Sequence, residues 1–182
     1  MNPAAGAPRV VLIGTMGAGK STVAELLGEQ WGVGVRDTDA DVEQREQRTV
    51  SDIFVDSGES YFRDVEAAAV LTALAEHDGV LALGGGAVLR ADTREALAGH
   101  RVVFLRVGLA DAVKRVGLGV GRPLLLGGVR AKVKALIDER TPVYESVATL
   151  TVDTDGRTPQ EVAAEVRTLV EAAENESGDA GV

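Results

Sequence analysis

Residues 10–22 read VVLIGTMGAGKST. The opening run has no polar face, the pattern of a strand buried on both sides in a parallel sheet. It breaks into glycines and ends on a lysine and two hydroxyls at the start of a helical stretch. Gly14-Thr15-Met16-Gly17-Ala18-Gly19-Lys20-Ser21 fits the spacing G-x-x-x-x-G-K-[ST]. Glycines let the backbone fold tightly, so that successive N–H groups point inward at phosphate oxygens, and the helix start adds its positive dipole end. Gly14, Gly17, Ala18, Gly19, Lys20, Ser21 and Thr22 therefore form a candidate cradle for a nucleoside triphosphate. Lys20 is placed to reach the β- and γ-phosphates, and Ser21 to ligate Mg²⁺. A glycine-rich turn that merely caps a helix would leave the preceding strand without a reason.

Outward from this stretch, strands and helices alternate. Lys20–Trp31 reads as a helix with Val23, Leu26 and Leu27 on one face, stopped by Gly32. Residues 33–39, VGVRDTD, read as a weaker second strand. Ala40–Gln47 and Val50–Ser57 read as short helices, and Glu59–Glu76 as a longer one striped by Phe62, Val65 and Ala69. Residues 79–86, GVLALGGG, form a third strand ending in glycines, followed by a helix over Thr93–Ala98. Residues 101–107, RVVFLRV, form a fourth strand, and Leu109–Val116 a helix. After the irregular stretch 117–128 come a helix over Val129–Val143, a fifth strand over 148–154 and a last helix over Pro159–Ala173. This alternation predicts one α/β domain over residues 9–174, a five-stranded parallel sheet with helices on both faces. Ligands then bind at the carboxyl ends of the strands. Residues 1–8 and 175–182 lack periodicity and are expected to be flexible tails.

The bulk numbers narrow the function. A chain of 182 residues suits one domain, and 45 % apolar residues with only three Phe, two Tyr and one Trp make the core aliphatic. A net charge of −9 argues against nucleic acid as partner. Fifteen arginines against four lysines favour bidentate recognition of carboxylate or phosphate at local sites. The absence of cysteine excludes disulfides and thiolate metal sites. With no signal peptide and no apolar run near the ~18 residues of a membrane span, a cytoplasmic address is expected.

The remaining polar features cluster after strands. The third strand ends in Gly84-Gly85-Gly86 and carries no acid, so the metal-holding acid usual at such a position must come from elsewhere. Three glycines there permit close approach of backbone and ligand; a flexible turn is the alternative. Asp37 and Asp39 lie at the next strand end. Helix capping, with Thr38 as N-cap and Asp41 three residues on, accounts for Thr38, Asp39 and Asp41 but leaves Asp37 without a role. Arg63 and Glu66 share a helix face at i and i+3, as a surface ion pair also would. Arg140 falls near the end of its predicted helix, where the dipole favours a cation. Arg122 lies in GLGVGRPLLLGG, a composition suited to a flap that closes over phosphates or to an ordinary loop.

Taken together, GTMGAGKST (14–22), DTD (37–39), FRDVE (62–66), LGGGAV (83–88), GRPLL (121–125) and ERTPVY (139–144) resemble the shikimate kinases over about Arg9 to Val170. The resemblance implies a P-loop fold with a mobile lid over about 117–128, and transfer of the ATP γ-phosphate to the 3-hydroxyl of shikimate. It implies Asp39 as base or orienter at the substrate hydroxyls, and Asp37 as the acid that supports Mg²⁺ beside Ser21. Arg63 and Arg140 would grip the shikimate carboxylate, with Gly84, Gly85 and Gly86 as backbone lining and Glu66 holding the polar network. Phe54 and Phe62 would form the wall beneath the ring. Arg122 would reach the transferring phosphate, and Arg115, Arg157 and Pro159 would flank adenine. ATP with Mg²⁺, no nucleic acid, no membrane and a monomeric state complete the expectation. Two departures stand out: the stretch 117–128 is rich in glycine and poor in charge, and DGRTPQ (155–160) matches weakly. Two rivals remain open at this point. One is a kinase of the same architecture acting on gluconate or a nucleoside monophosphate. The other is a non-catalytic nucleotide switch, against which stands the lack of an N-K-x-D motif.

Overall fold

A computed structural model describes residues 6–119 and 128–179. Val10–Ile13 forms β1, and all four of its side chains are buried. Lys20–Trp31 forms α1, Val35–Asp37 β2, Thr38–Glu46 α2, Val50–Glu76 α3, Val80–Ala82 β3 and Ala91–Ala96 α4. Val102–Arg106 follows as β4, Leu109–Gly119 as α5, Gly128–Val147 as α6, Leu150–Asp153 as β5 and Pro159–Asp179 as α7. The strands pair in parallel in the order β2-β3-β1-β4-β5. This is the expected five-stranded parallel sheet. β1 sits at its centre, and the chain departs to both sides of it, so the ligand crevice opens at the carboxyl end of β1.

The pleat of β1 divides the core. Val10 and Leu12 join Val103 and Leu105 under α1, α5 and α7, while Val11 and Ile13 join Leu81, Phe104 and Val70 under α3. α6 touches both cores, with Val133 in the first and Tyr144 in the second. Shortening one such side chain, for example Leu12→Ala, costs about 2–5 kcal/mol because the close-packed surroundings relax only partly. A third, smaller cluster of Val42, Ile53, Phe62, Val65 and Ala69 holds α2 against α3.

Turn chemistry follows the sequence at several ends. Gly32 closes α1 in the left-handed region (φ 64), its N–H donating to the carbonyls of Gly28 and Glu29. Gly58 (φ 83, ψ 168) breaks α3 at the expected boundary between a short and a long helix. Thr158 caps α7 in a capping box: its hydroxyl accepts the Glu161 N–H, and the Glu161 carboxylate accepts the Thr158 N–H.

Three helices run past the ends expected from the sequence. α5 continues to Gly119, so the first residues of the predicted irregular stretch are helical. Residues 120–127, including Arg122, lie outside the described residues. α6 runs through Pro142 to Val147 rather than stopping at Val143, which leaves Arg140 well inside the helix. The dipole acts within the last turn, so it does not account for that arginine. α7 runs on to Asp179 rather than ending at Ala173. Beyond that expected end Glu174 accepts two hydrogen bonds from Arg9, at 3.0 and 2.8 Å. Arg9 also stacks 4.2 Å over the Trp31 ring. These contacts tie α7 to the amino-terminal side of β1, away from the crevice.

Candidate active site

The loop from Gly14 to Gly19 wraps the end of β1 through left-handed backbone at Gly14, Gly17 and Gly19 (φ 151, 80 and 88). At Gly14 a β-carbon would lie 2.7 Å from the Leu105 carbonyl, and at Gly17 it would lie 3.0 Å from the Ala112 carbonyl. The loop is thus wedged between β4 and α5 at positions only glycine fills. Lys20 Nζ bridges the carbonyls of Gly14 (2.7 Å) and Thr15 (3.2 Å). Burial lowers its pKa to about 8, against the pull of Asp39 and Asp37.

Asp37 has two partners. One carboxylate oxygen accepts the Asp39 N–H at 2.9 Å, which makes Asp37, not Thr38, the N-cap of α2. The other lies 3.2 Å from the Ser21 hydroxyl, which donates to it. Thr38 is fully buried and turns its hydroxyl to the Gly84 N–H at 3.1 Å. Asp41 is held by Arg36 at 2.6 Å. Asp39 is left facing the crevice, and burial, followed by the charge of Asp37, raises its pKa while Lys20 opposes the rise.

The three glycines after β3 have no positive φ. Space, not conformation, is what they supply. A β-carbon on Gly84 would meet Asp39 at 2.4 Å and Glu66 at 2.6 Å; one on Gly86 would meet the Arg63 guanidinium at 2.3 Å. On Gly85 it would approach Arg140 to 3.4 Å. The strip thus brings four charged side chains against bare backbone, which answers the flexible-turn alternative. Arg63 donates to Glu66 at 2.6 Å, and Glu66 is only 1 % exposed, so the pair is no surface ion pair. Burial pushes the Glu66 carboxyl up, against the Arg63 hydrogen bond. A buried pair of this kind is weak evidence for stability and better explained by placement of the guanidinium. Arg140 Nε is buried with no hydrogen-bond partner among the described residues, a donor unmatched within the fold. Phe54 and Phe62 pack with ring centroids 4.6 Å apart, and Arg63 lies within 5.9 and 5.3 Å of them.

Two residues here escaped the sequence reading. Tyr144 is buried, donates to the Gly85 carbonyl and has its pKa pushed up to about 12 by burial, with Arg140 pulling it back. It lies one helical turn after Arg140, the i, i+4 spacing that could have flagged it. Thr38 holds the other end of the strip, inside the quoted DTD.

On the far side, Arg115 donates to the Gly17 carbonyl (3.1 Å) and to both oxygens of Thr154 (3.0 and 2.7 Å). Arg157 donates to the carbonyls of Asp153 (2.9 Å) and Glu161 (3.1 Å) and pairs with Glu165. One cleft of about 710 Å³ joins all these parts. It is lined by Lys20, Ser21 and Thr22 with Gly17, Ala18 and Gly19 at the loop, and by Asp37 and Asp39 at β2. Phe54, Phe62, Arg63, Glu66, Gly85, Gly86 and Arg140 line one end, Arg115, Arg157 and Pro159 the other. Gly14 and Gly84 support this wall without lining it.

The shikimate kinase family model matches residues 16–171. The chain belongs to the shikimate kinase family. A shikimate kinase of Thermobifida fusca is 59 % identical over 156 residues, 86 % of this chain and 91 % of that protein. The solved structure of shikimate kinase from Acinetobacter baumannii in complex with shikimate superposes with a TM-score of 0.83 at 32 % identity, covering 90 % of this chain and 93 % of that one. A gluconokinase from Sinorhizobium meliloti superposes with a TM-score of 0.63 at 18 % identity, covering 95 % and 97 %. That likeness shows the shared fold alone. The family makes the protein an ATP-dependent kinase of a small molecule and removes the non-catalytic switch as a reading.

Proposed function

We propose that this chain transfers the γ-phosphoryl group of ATP to the 3-hydroxyl of shikimate, with the acceptor seated between α3, α6 and the glycine strip. The observation that supports this most is the unmatched Arg140 Nε beside Arg63, a pair of guanidiniums suited to a carboxylate at the acceptor end of the cleft. Phe54 and Phe62 offer an apolar wall to the ring. Asp39 accepts the proton of the attacking hydroxyl as the hydroxyl oxygen bonds to the γ-phosphorus and the bond to the bridging oxygen breaks, releasing ADP. A carboxylate raised above its ordinary range is the better base for that step, and a loose transition state asks mainly for orientation. Lys20 turns its ammonium to the β- and γ-phosphates, and the loop amides hold the chain. Arg122 belongs to the reading as the cation over the transferring group.

The Ser21 hydroxyl and Asp37 carboxylate, 3.2 Å apart, are oxygen donors of the kind Mg²⁺ takes. They would hold it beside the phosphates, where it would supply charge neutralisation for the transfer. Arg115, Arg157 and Pro159 receive adenine. A cytoplasmic monomer goes with the reading, supported by the acidic composition and the lack of cysteine. ADP release coupled to a dye, measured with shikimate, gluconate and a set of nucleoside monophosphates, tests the acceptor. Turnover with shikimate alone is the expected result; preference for gluconate or a monophosphate would overturn it.

A further inference from the structure

The nucleotide end of the cleft is built from two loops that hold each other. Asp155, after β5, accepts the Gly108 N–H through both carboxylate oxygens, at 2.8 and 3.0 Å. Asp111, in the first turn of α5, accepts the Gly156 N–H at 2.7 Å. Each loop therefore supplies a carboxylate to the other loop's glycine amide. The two glycines serve the exchange in different ways. A β-carbon on Gly108 would lie 2.5 Å from Asp155, and Gly156 is left-handed (φ 66). Gly108 also receives the first helical bond of α5, from the Ala112 N–H, so Asp155 lies at the positive end of that helix dipole. One step before, Arg106 and Asp153, register partners on β4 and β5, pair at 2.5 and 2.9 Å. One turn after, Arg115 closes the frame onto Thr154 and Gly17.

We infer that this reciprocal carboxylate–amide clamp, centred on Asp155, is a positioning device for the nucleoside part of ATP. It sets the gap between Arg115 and the Arg157–Pro159 turn without touching the phosphates or the acceptor. The inference rests on the adenine site proposed above. It also gives DGRTPQ, the weakest stretch of the family resemblance, a specific role. Its first two residues make the clamp, and its third and fifth face the cleft.

The test is steady-state kinetics of Asp155→Ala, Asp155→Asn and Gly108→Ala, with inorganic tripolyphosphate as a competitor of ATP that carries no base. Asp155→Ala and Gly108→Ala are expected to raise the ATP KM about five- to tenfold, the scale of a lost charge-assisted hydrogen bond in a partly exposed site. The shikimate KM, the kcat at saturating ATP and the tripolyphosphate inhibition constant are expected to stay within about twofold. Asp155→Asn, which keeps one acceptor oxygen, is expected to recover most of the ATP KM. If Asp155→Ala fails to fold, Gly108→Ala carries the same readout. Equal weakening of ATP and tripolyphosphate, or an unchanged ATP KM, overturns the clamp. Arg115→Ala and Arg157→Ala read the base site itself. If neither moves the ATP KM, the adenine reading falls and the clamp with it. If either does and Asp155→Ala does not, the clamp alone falls.

Discussion

The protein has two glycine clusters at neighbouring strand ends, and they serve different needs. Gly14, Gly17 and Gly19 adopt backbone that side chains resist, so the chain can curl tightly at the end of β1. Gly84, Gly85 and Gly86 adopt none of it, yet a β-carbon on Gly84 or Gly86 would collide with Asp39, Glu66 or Arg63. The first cluster makes a shape from the main chain. The second vacates a volume that other elements fill with charge. Spacing in sequence encodes the former, because the curl is local. Only packing reveals the latter, because its partners come from α2, α3 and α6.

The sharpest way to separate the two halves is Asp39→Asn. It is expected to cut kcat by about 10²–10⁴ while the ATP KM stays put, the scale of a lost general base. Turnover within a few-fold of the parent would remove Asp39 from the proton path. Next come the glycines themselves. Gly84→Ala is expected to lower kcat/KM for the acceptor by about a hundredfold with little change in melting temperature, since it displaces functional side chains. Gly14→Ala is expected to cost about 1–3 kcal/mol of stability on chemical denaturation, since it strains backbone against Leu105. Matching profiles for both would erase the distinction between the clusters.

Arg140→Ala is expected to raise the acceptor KM about tenfold or more and leave the ATP KM nearly unchanged, because one charged contact to a carboxylate is lost. Equal effects on both substrates would discredit the clamp on the carboxylate. The smallest expected effect is on pH. Lys20, lowered to about 8, loses its proton as pH rises through that value, so kcat/KM for ATP is expected to fall on the alkaline side there. Asp39, raised, gains its proton as pH falls, so the acid limb for the acceptor is expected above the ordinary carboxylate pKa of ~3.9. A flat profile between those limbs in the parent, and loss of the acid limb in Asp39→Asn, would tie each limb to its half of the cleft.

Much of this was readable in the chain. The buried run before Gly14, the alternation after it and the stop at Gly32 led to the sheet, because periodicity and turn residues act locally. Other readings needed contacts. Asp37 caps α2 and Thr38 does not, since Thr38 is spent on the Gly84 amide 46 residues away. Arg140 near a predicted helix end suggested the dipole, but α6 passes through Pro142 and the arginine faces the glycine strip instead. Arg63 and Glu66 have the spacing of an exposed pair, and nothing in three residues of helix says that Glu66 will be covered.

By itself, the sequence determined the parallel sheet, the phosphate loop and the family, since each is written in short stretches whose geometry depends on near neighbours. The tertiary structure alone decided which charges meet around the glycine strip, that Tyr144 and Thr38 hold it from both sides, and that Asp155 and Asp111 lock two distant loops. Those are pairings between segments far apart in the chain. No local pattern of residues specifies such pairings, because they form only once distant segments are packed side by side.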